Sequence, residues 1–391
     1  MVKPKSFLTT SPPGDQTPSI DEGKATDGVV AYKRNWKLMY FVLFISAILA
    51  VTAFAPLLPV DWWWVRIGDF PRVQLLVAYL VWLLVLGVLY KQPYAKLAAG
   101  LMVASIAIQL YWIFPYLPVA PNQVEWAKSQ DQDVRLRIMM SNVLQENEDS
   151  AALLRLIDEQ SPDLVVLCEV NQRWIDEIAS LREKFNYHVE KPMENTYGLA
   201  MYSNLEIVSS EIRAMVKESI PSIDATIQLP SGQPVRLFVI HPNPPRPGED
   251  TTKRDGELVL VGREIGDGES AIVLGDMNDV GWSRTTDLFQ EVSGLLDPRK
   301  GRGLYPTFNA NSWIWRYPLD HLFHSDDFRV VSLQTLPTIG SDHLPLSVVL
   351  SYEPSAETMQ SGPNLDADDQ KDAAAAVEAL NQPHATDQPE E

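Results

Sequence analysis

Asp276 and Asn278 are the residues whose types and spacing first point to chemistry. They follow Ala271-Ile272-Val273-Leu274, an apolar run that reads as a buried strand, and Gly275, where the backbone can turn tightly. Two positions apart on an extended chain, the two side chains share one side. The carboxylate can take a proton or hold a metal, and the carboxamide can donate to an anionic oxygen without adding charge. Gly-Asp-x-Asn is also common turn vocabulary, so its meaning depends on the rest of the chain.

The pattern recurs. Asn142, Glu169, His241, Asp276, Asn278, Asp320, His321, Asp342 and His343 follow apolar runs or stand beside them. In a sheet-based domain, strand ends along one edge converge, and sites form there. The chemistry that fits is attack of water on a phosphate ester. It needs a hard cation on oxygen ligands, a group that orients or deprotonates water, and donors for the phosphoryl oxygens. The sequence has no HExxH motif, no cysteine cluster and no Walker loop, which argues against zinc and nucleoside-triphosphate sites.

The ordered set Asn142, Leu167-Cys168-Glu169-Val170, His241-Pro242-Asn243-Pro244-Pro245, Gly275-Asp276-Met277-Asn278, Leu319-Asp320-His321 and Ser341-Asp342-His343 resembles the endonuclease/exonuclease/phosphatase superfamily. The HPxPP variant, with the apolar segment before it, is similar to membrane-anchored bacterial members of the teicoplanin-resistance type. The resemblance implies a four-layered α/β sandwich, two packed mixed sheets flanked by helices, over 133–352. It also implies a Mg²⁺ cofactor, with Mn²⁺ as the substitute. Glu169 would be the main metal ligand, with Asn142 and Asp342 beside it. Asp276 would orient or deprotonate the attacking water, and Asn278 would donate to a phosphoryl oxygen. Asp320 would hold His343 against the phosphate, and His241 would serve the transition state or leaving group. Leu144 stands where some members carry an acid, which favours a single metal.

These residues need elements to carry them. Leu136–Met140, Leu164–Cys168, Gly198–Tyr202, Val235–Ile240, Asp320–Phe323, Val330–Leu333 and Leu346–Ser351 read as strands. Helices are expected through Gln160 behind a cap at Asp149 or Ser150, then over 172–184, 252–265 and 286–292. His321, next to Asp320 on a strand, should point away from the site. The lone Cys168 allows no internal disulfide and reads as a buried thiol. Arg246 and Arg254 read as solvated, with contact to a second phosphate as the sharper alternative, and Tyr202 and Ser203 as weak candidates. Trp313-Ile314-Trp315-Arg316 reads as core or as a loop lip.

Three uncharged runs, at about 38–60, 73–90 and 97–119, are each long enough to cross a hydrocarbon core. Residues 36–120 therefore read as three transmembrane helices. Lys33, Arg34, Lys37, Lys91 and Lys96 place the N-terminus in the cytoplasm and the catalytic domain outside it, at the cell membrane. Residues 1–35 and 353–391 read as disordered tails, with Ala373 to Leu380 able to make a transient helix.

The formal net charge is −19. Ten acids from Glu353 onward against Lys371 contribute −9 of it, leaving a mildly acidic body. That balance disfavours nucleic acid held by bulk charge. The expected partners are the bilayer and a phosphorylated substrate, with a lipid-linked one (polyprenyl diphosphate or phospholipid type) matching the tether. The alternatives are an extracytoplasmic nuclease acting on nucleic acid, and a non-catalytic scaffold whose acidic tail recruits a protein.

Overall fold

The computed structural model describes residues 35–381 other than 59, 246–249 and 267, together with Met1. Nearly all of the tail at 1–35, the end of the acidic tail at 382–391 and Arg246 lie outside the described residues.

Four helices come first: α1 (Trp36–Phe54), α2 (Trp63–Arg66), α3 (Arg72–Val88) and α4 (Pro93–Ile113). Trp36–Leu57 and Pro93–Tyr116 are long and apolar enough to cross a membrane. Three spans were expected. The middle one reaches that length only if α2 and α3, with a 75° bend between them, count as one element. Pro71 stands at the N-cap of α3, where its missing N–H costs nothing. Beside it, buried Arg72 pairs with Asp69 and donates to Gln109 Oε1 at 3.1 Å.

The remaining elements are β1 (Arg135–Asn142), α5 (Ser150–Gln160), β2 (Leu164–Cys168), α6 (Gln172–Glu177), α7 (Leu181–Lys184), β3 (Tyr187–Lys191) and β4 (Leu199–Ser203). Then come β5 (Glu206–Arg213), β6 (Ser222–Gln228), β7 (Pro234–Val239), α8 (Thr252–Glu264), β8 (Ala271–Asp276) and α9 (Arg284–Ser293). Last are β9 (Asp320–His324), β10 (Phe328–Thr335), β11 (Leu346–Tyr352) and α10 (Ala367–Ala379).

They form two mixed sheets, β10-β11-β1-β2-β4-β3 and β5-β6-β7-β8-β9. Strand alternation builds the layers. Leu136, Ile138 and Met140 of β1 meet Ile272 and Leu274 of β8 in the core between the sheets. The opposite faces carry Met139, Val165 and Leu167 against α5 and α6, and Val273 and Phe238 against α8 and α9. Two mixed sheets flanked by helices are the expected sandwich.

β3, β5 and β6 gave no clear signal in the sequence. β5 is mostly exposed, so its alternation is not apolar, and β3 is half exposed at a sheet edge. The helix expected over 172–184 is broken between Glu177 and Leu181. The acidic tail was expected to be disordered, with a transient helix over 373–380, and its described part carries α10. A capping box between Asp366 and Asp369 starts that helix. Asp372 pairs with Arg284, and Leu380 packs on Gly256. Counting charge hid this apolar contact.

The apolar helices are docked on the sandwich. Trp282 Nε1 donates to the Asp69 carbonyl at 2.8 Å, and the Thr251 amide to the Asp61 carbonyl at 3.0 Å. Tyr116 donates to the Gly281 carbonyl, and Phe70 meets Tyr317 edge-on at 5.7 Å.

Candidate active site

Each sheet contains one parallel pair, β1 with β2 and β7 with β8, and their C-terminal ends open on the same side of the core. Asn142 ends β1 and Glu169 follows β2. Asp276 ends β8, and His241 follows β7 by one residue. Antiparallel β9 starts where β8 stops, with Asp320 directly opposite Asp276. The loop before β11 returns beside β1 and brings in Asp342 and His343. The sequence spreads these residues over two hundred positions, and strand direction gathers them.

The Asn142 side chain is the hinge of the cluster. Its Nδ2 donates to Glu169 Oε1 at 2.8 Å and to Asp276 Oδ2 at 3.0 Å, while Oδ1 accepts from the Leu144 amide at 3.0 Å. Glu169 Oε2 accepts from the Gln145 amide at 3.2 Å. Burial raises the Glu169 carboxyl above the usual range, against the pull of His241 and its bond from Asn142.

Asp276 is buried, and its Oδ1 accepts from the Asn278 amide at 3.0 Å. Asn278 Nδ2 donates to the Pro242 carbonyl at 2.9 Å, tying its loop to the residue after His241. Gly275 has φ +144°, and a Cβ there would fall 1.9 Å from the Ile240 carbonyl oxygen. The glycine is thus required by close backbone approach. Glu169 and Asn278 are held at φ +67° and +51°, a conformation uncommon for side-chain-bearing residues. Such strain gathers at functional sites.

His343 Nδ1 lies 2.7 Å from Asp320 Oδ2, which leaves Nε2 facing Asp276 at 3.6 Å. Burial disfavours the charged imidazole, but Asp320 and Asp276 outweigh it and push the pKa up to about 10. Burial also raises the Asp342 carboxyl, with His343 opposing the shift. His241 Nε2 stands 3.7 Å from Asp276 Oδ2, under the ring of Tyr197. Among the described residues, His241 Nδ1 and Asp320 Oδ1 have no hydrogen-bond partner. One ligand atom each of Asp276, Asp320 and His343 lie within 4.8 Å of one another, a cluster that could hold a metal ion.

Seven of the expected residues, Glu169, His241, Asp276, Asn278, Asp342 and His343 on the wall and Asn142 bonded just behind it, meet at one cavity of about 860 Å³. Asp320 sits behind His343. His321 points away, between Arg299 at 2.6 Å and the Asp279 carbonyl at 2.8 Å; burial and Arg299 push its pKa down to about 3. Tyr202 donates to Glu190 at 2.7 Å, away from the cavity lining. Trp315 forms part of the cavity wall beside the exposed Trp313, so that run is a lip.

Arg254 carries more than the sequence showed. It is buried, contacts Asp255 at 2.8 Å and Asp279 at 3.3 Å, and donates to the Asn278 carbonyl at 3.0 Å. It therefore braces the loop that presents Asp276 and Asn278. One arginine on a helix gave no sign of this.

Solved structures similar to this chain include D. rerio TDP2 complexed with single-strand DNA product, at 16% identity and TM-score 0.48. It covers 56% of this chain and 100% of that one. The human Nocturnin catalytic domain with bound sulfate stands at 21% and 0.47, covering 56% and 94%. An endonuclease/exonuclease/phosphatase from Beutenbergia cavernae stands at 18% and 0.45, covering 56% and 72%. No curated protein matches the sequence. The model of the Endonuclease/Exonuclease/phosphatase family matches residues 140–343, from the end of β1 to the last histidine of the cavity. The chain belongs to that family, whose members are divalent-metal-dependent hydrolases of phosphoester bonds.

Proposed function

We propose that this protein is a membrane-anchored, Mg²⁺-dependent phosphoesterase of the bacterial type, with residues 133–352 as its catalytic domain. The observation that carries this reading is the convergence of Asn142, Glu169, His241, Asp276, Asn278, Asp342 and His343 on one cavity, with Asp320 behind them.

The residues fit a hard divalent cation. Glu169 and Asp276 share one amide nitrogen, and no lysine or arginine lines the cavity among the described residues. Oxygen donors without thiolate are what Mg²⁺ takes, and a cation would offset the facing carboxylates. Glu169, Asn142 and Asp342 would hold it; Asn142 can use the second lone pair of Oδ1. The bound cation supplies polarisation of a phosphoryl oxygen and charge neutralisation.

Asp276 orients the attacking water and accepts its proton. Asn278 donates to a phosphoryl oxygen with the N–H that Pro242 does not use. Asp320 fixes the His343 ring so that Nε2 is the nitrogen turned to the substrate. His241 stands on the other side of Asp276, where it can protonate or stabilise the leaving oxygen. The bond from phosphorus to the leaving oxygen breaks as the one to water forms.

Residues 36–120 would hold this site at the bilayer as a multi-pass anchor, the bent α2–α3 pair serving as the middle span. Lys33, Arg34, Lys37, Lys91 and Lys96 favour a topology with the catalytic domain outside the cytoplasm. The test is product release by the full-length protein in detergent, with and without Mg²⁺. Its panel holds a polyprenyl diphosphate, a sphingomyelin-type lipid, an inositol polyphosphate and single- and double-stranded DNA. Absence of turnover on every member defeats the enzyme reading, and DNA cleavage alone makes the protein a tethered nuclease.

A further inference from the structure

The cavity has two unlike walls. One carries Glu169, His241, Asp276, Asn278, Asp342 and His343. The other comes from the helices that precede the sandwich and includes Thr52, Ala55, Trp64, Ile67, Phe70 and Leu75. We propose that this second wall is a chain-binding subsite. The substrate would be a phosphoester of a long hydrocarbon alcohol, its phosphate at the carboxylates and its chain along α1, α2 and the start of α3. This inference rests on the phosphoesterase reading and names the substrate class.

Three observations favour that occupant. First, the apolar wall is bare. Val51, Trp64 and Ile67 line the cavity yet remain 59%, 50% and 46% exposed. A hydrocarbon chain would gain by covering them, whereas a sugar or nucleotide would leave them wet. Second, no lysine or arginine lines the cavity among the described residues. A polyanion needs a track of cations, and a single phosphate attached to a neutral chain does not. Third, the wall belongs to the helices long and apolar enough to cross a membrane, the α2–α3 pair included. A chain lying there can continue into lipid without crossing water. The α2–α3 bend helps make the wall, since Trp64 and Ile67 on one side of it and Leu75 on the other all face the cavity. Docking through Asp69–Trp282 and Phe70–Tyr317 holds that wall against the sandwich.

The experiment uses full-length protein at one fixed detergent concentration. Substrates are two series from ethyl to octyl: p-nitrophenyl alkyl phosphodiesters, followed by nitrophenol release, and monoalkyl phosphates, followed by inorganic phosphate. The expected result is a rise in kcat/KM of about twofold to fourfold per added methylene in at least one series. Ile67→Glu should cut the octyl-to-ethyl ratio at least about tenfold. Val51→Gln serves the same purpose should Ile67→Glu not fold. Comparing ratios between proteins cancels partition of the longer substrates into detergent. Mg²⁺-dependent turnover that is flat with chain length, or a ratio unchanged in the wall variants, overturns the chain subsite and leaves the phosphoesterase standing. No turnover in either series also overturns the chain subsite, and the phosphoesterase reading is then decided by the substrate panel above.

Discussion

Replacing Arg254 by methionine should loosen the active site from behind. The guanidinium is buried and contacts the Asp255 carboxylate, the Asp279 carboxylate and the Asn278 carbonyl within 2.8–3.3 Å. Removing it strands two carboxylates in the interior, and breaking a buried pair from one side costs about 3–5 kcal/mol. For a domain of this size, that lowers Tm by roughly 6–20 °C. Asp279 gives the effect a pH signature. Burial, against the pull of Arg254, already lifts its carboxyl to about 6. Without Arg254 it rises further. A raised carboxyl destabilises the folded state as pH increases, so the deficit should widen on the alkaline side and shrink in acid. The assay is thermal unfolding by tryptophan fluorescence in detergent at several pH values, with phosphoester turnover measured in parallel. Adding Asp279→Asn to the variant should restore at least half of the lost Tm, because it removes one stranded charge. Turnover should recover less, since Asn278 stays unbraced. A deficit below about 1 kcal/mol, or strictly additive losses in the double variant, would refute the bracing role.

Further expectations concern other parts of the molecule. Asp320→Asn keeps the shape but removes the charge holding His343, so kcat should fall on the order of 10²- to 10⁴-fold with little change in KM; a change below threefold would remove Asp320 from the site. EDTA should abolish turnover and Mg²⁺ restore it, with Mn²⁺ as a partial substitute; undiminished activity in EDTA would exclude the cation. Gly275→Ala should cost about 3 kcal/mol or more, because its Cβ would strike the Ile240 carbonyl; an unchanged Tm would mean that this turn relaxes. Burial alone lifts Glu257 to about 8, so wild-type stability should decline as pH rises from its unfolded value toward 8. Glu257→Gln should lack that decline and gain about 3 kcal/mol on wild type between about pH 5.5 and 8.5. Parallel pH profiles of Tm would show that Glu257 is solvated.

Much of this protein was legible in its residues. Largely apolar stretches marked β1, β2, β7, β8 and β11, because strands buried on both faces carry a near-continuous hydrophobic pattern. The capping residues Asp149 and Ser150 marked the start of α5, and the structure uses Asp149. The site set was legible for the same reason: each member stands at or beside the end of a strand easily seen. Uncharged runs marked α1 and α4 by length alone. What failed was local pattern without burial. β5 is largely exposed, so nothing apolar repeats along it. α10 is held to α8 by a contact of Leu380 with Gly256, which only folding creates.

Tertiary structure decided the rest, because distances between strand ends are not written in sequence spacing. It set Asp320 opposite Asp276 and turned the Asn142 amide to both Glu169 and Asp276. It sent His321 away from its neighbour into a contact with Arg299 and buried Arg254 behind the Asn278 loop. It also bent the chain between α2 and α3 and set Trp64, Ile67 and Leu75 on the cavity wall. Chemistry by residue type came from the sequence. Which groups face one another, and across what surface, came from strand direction, register and packing.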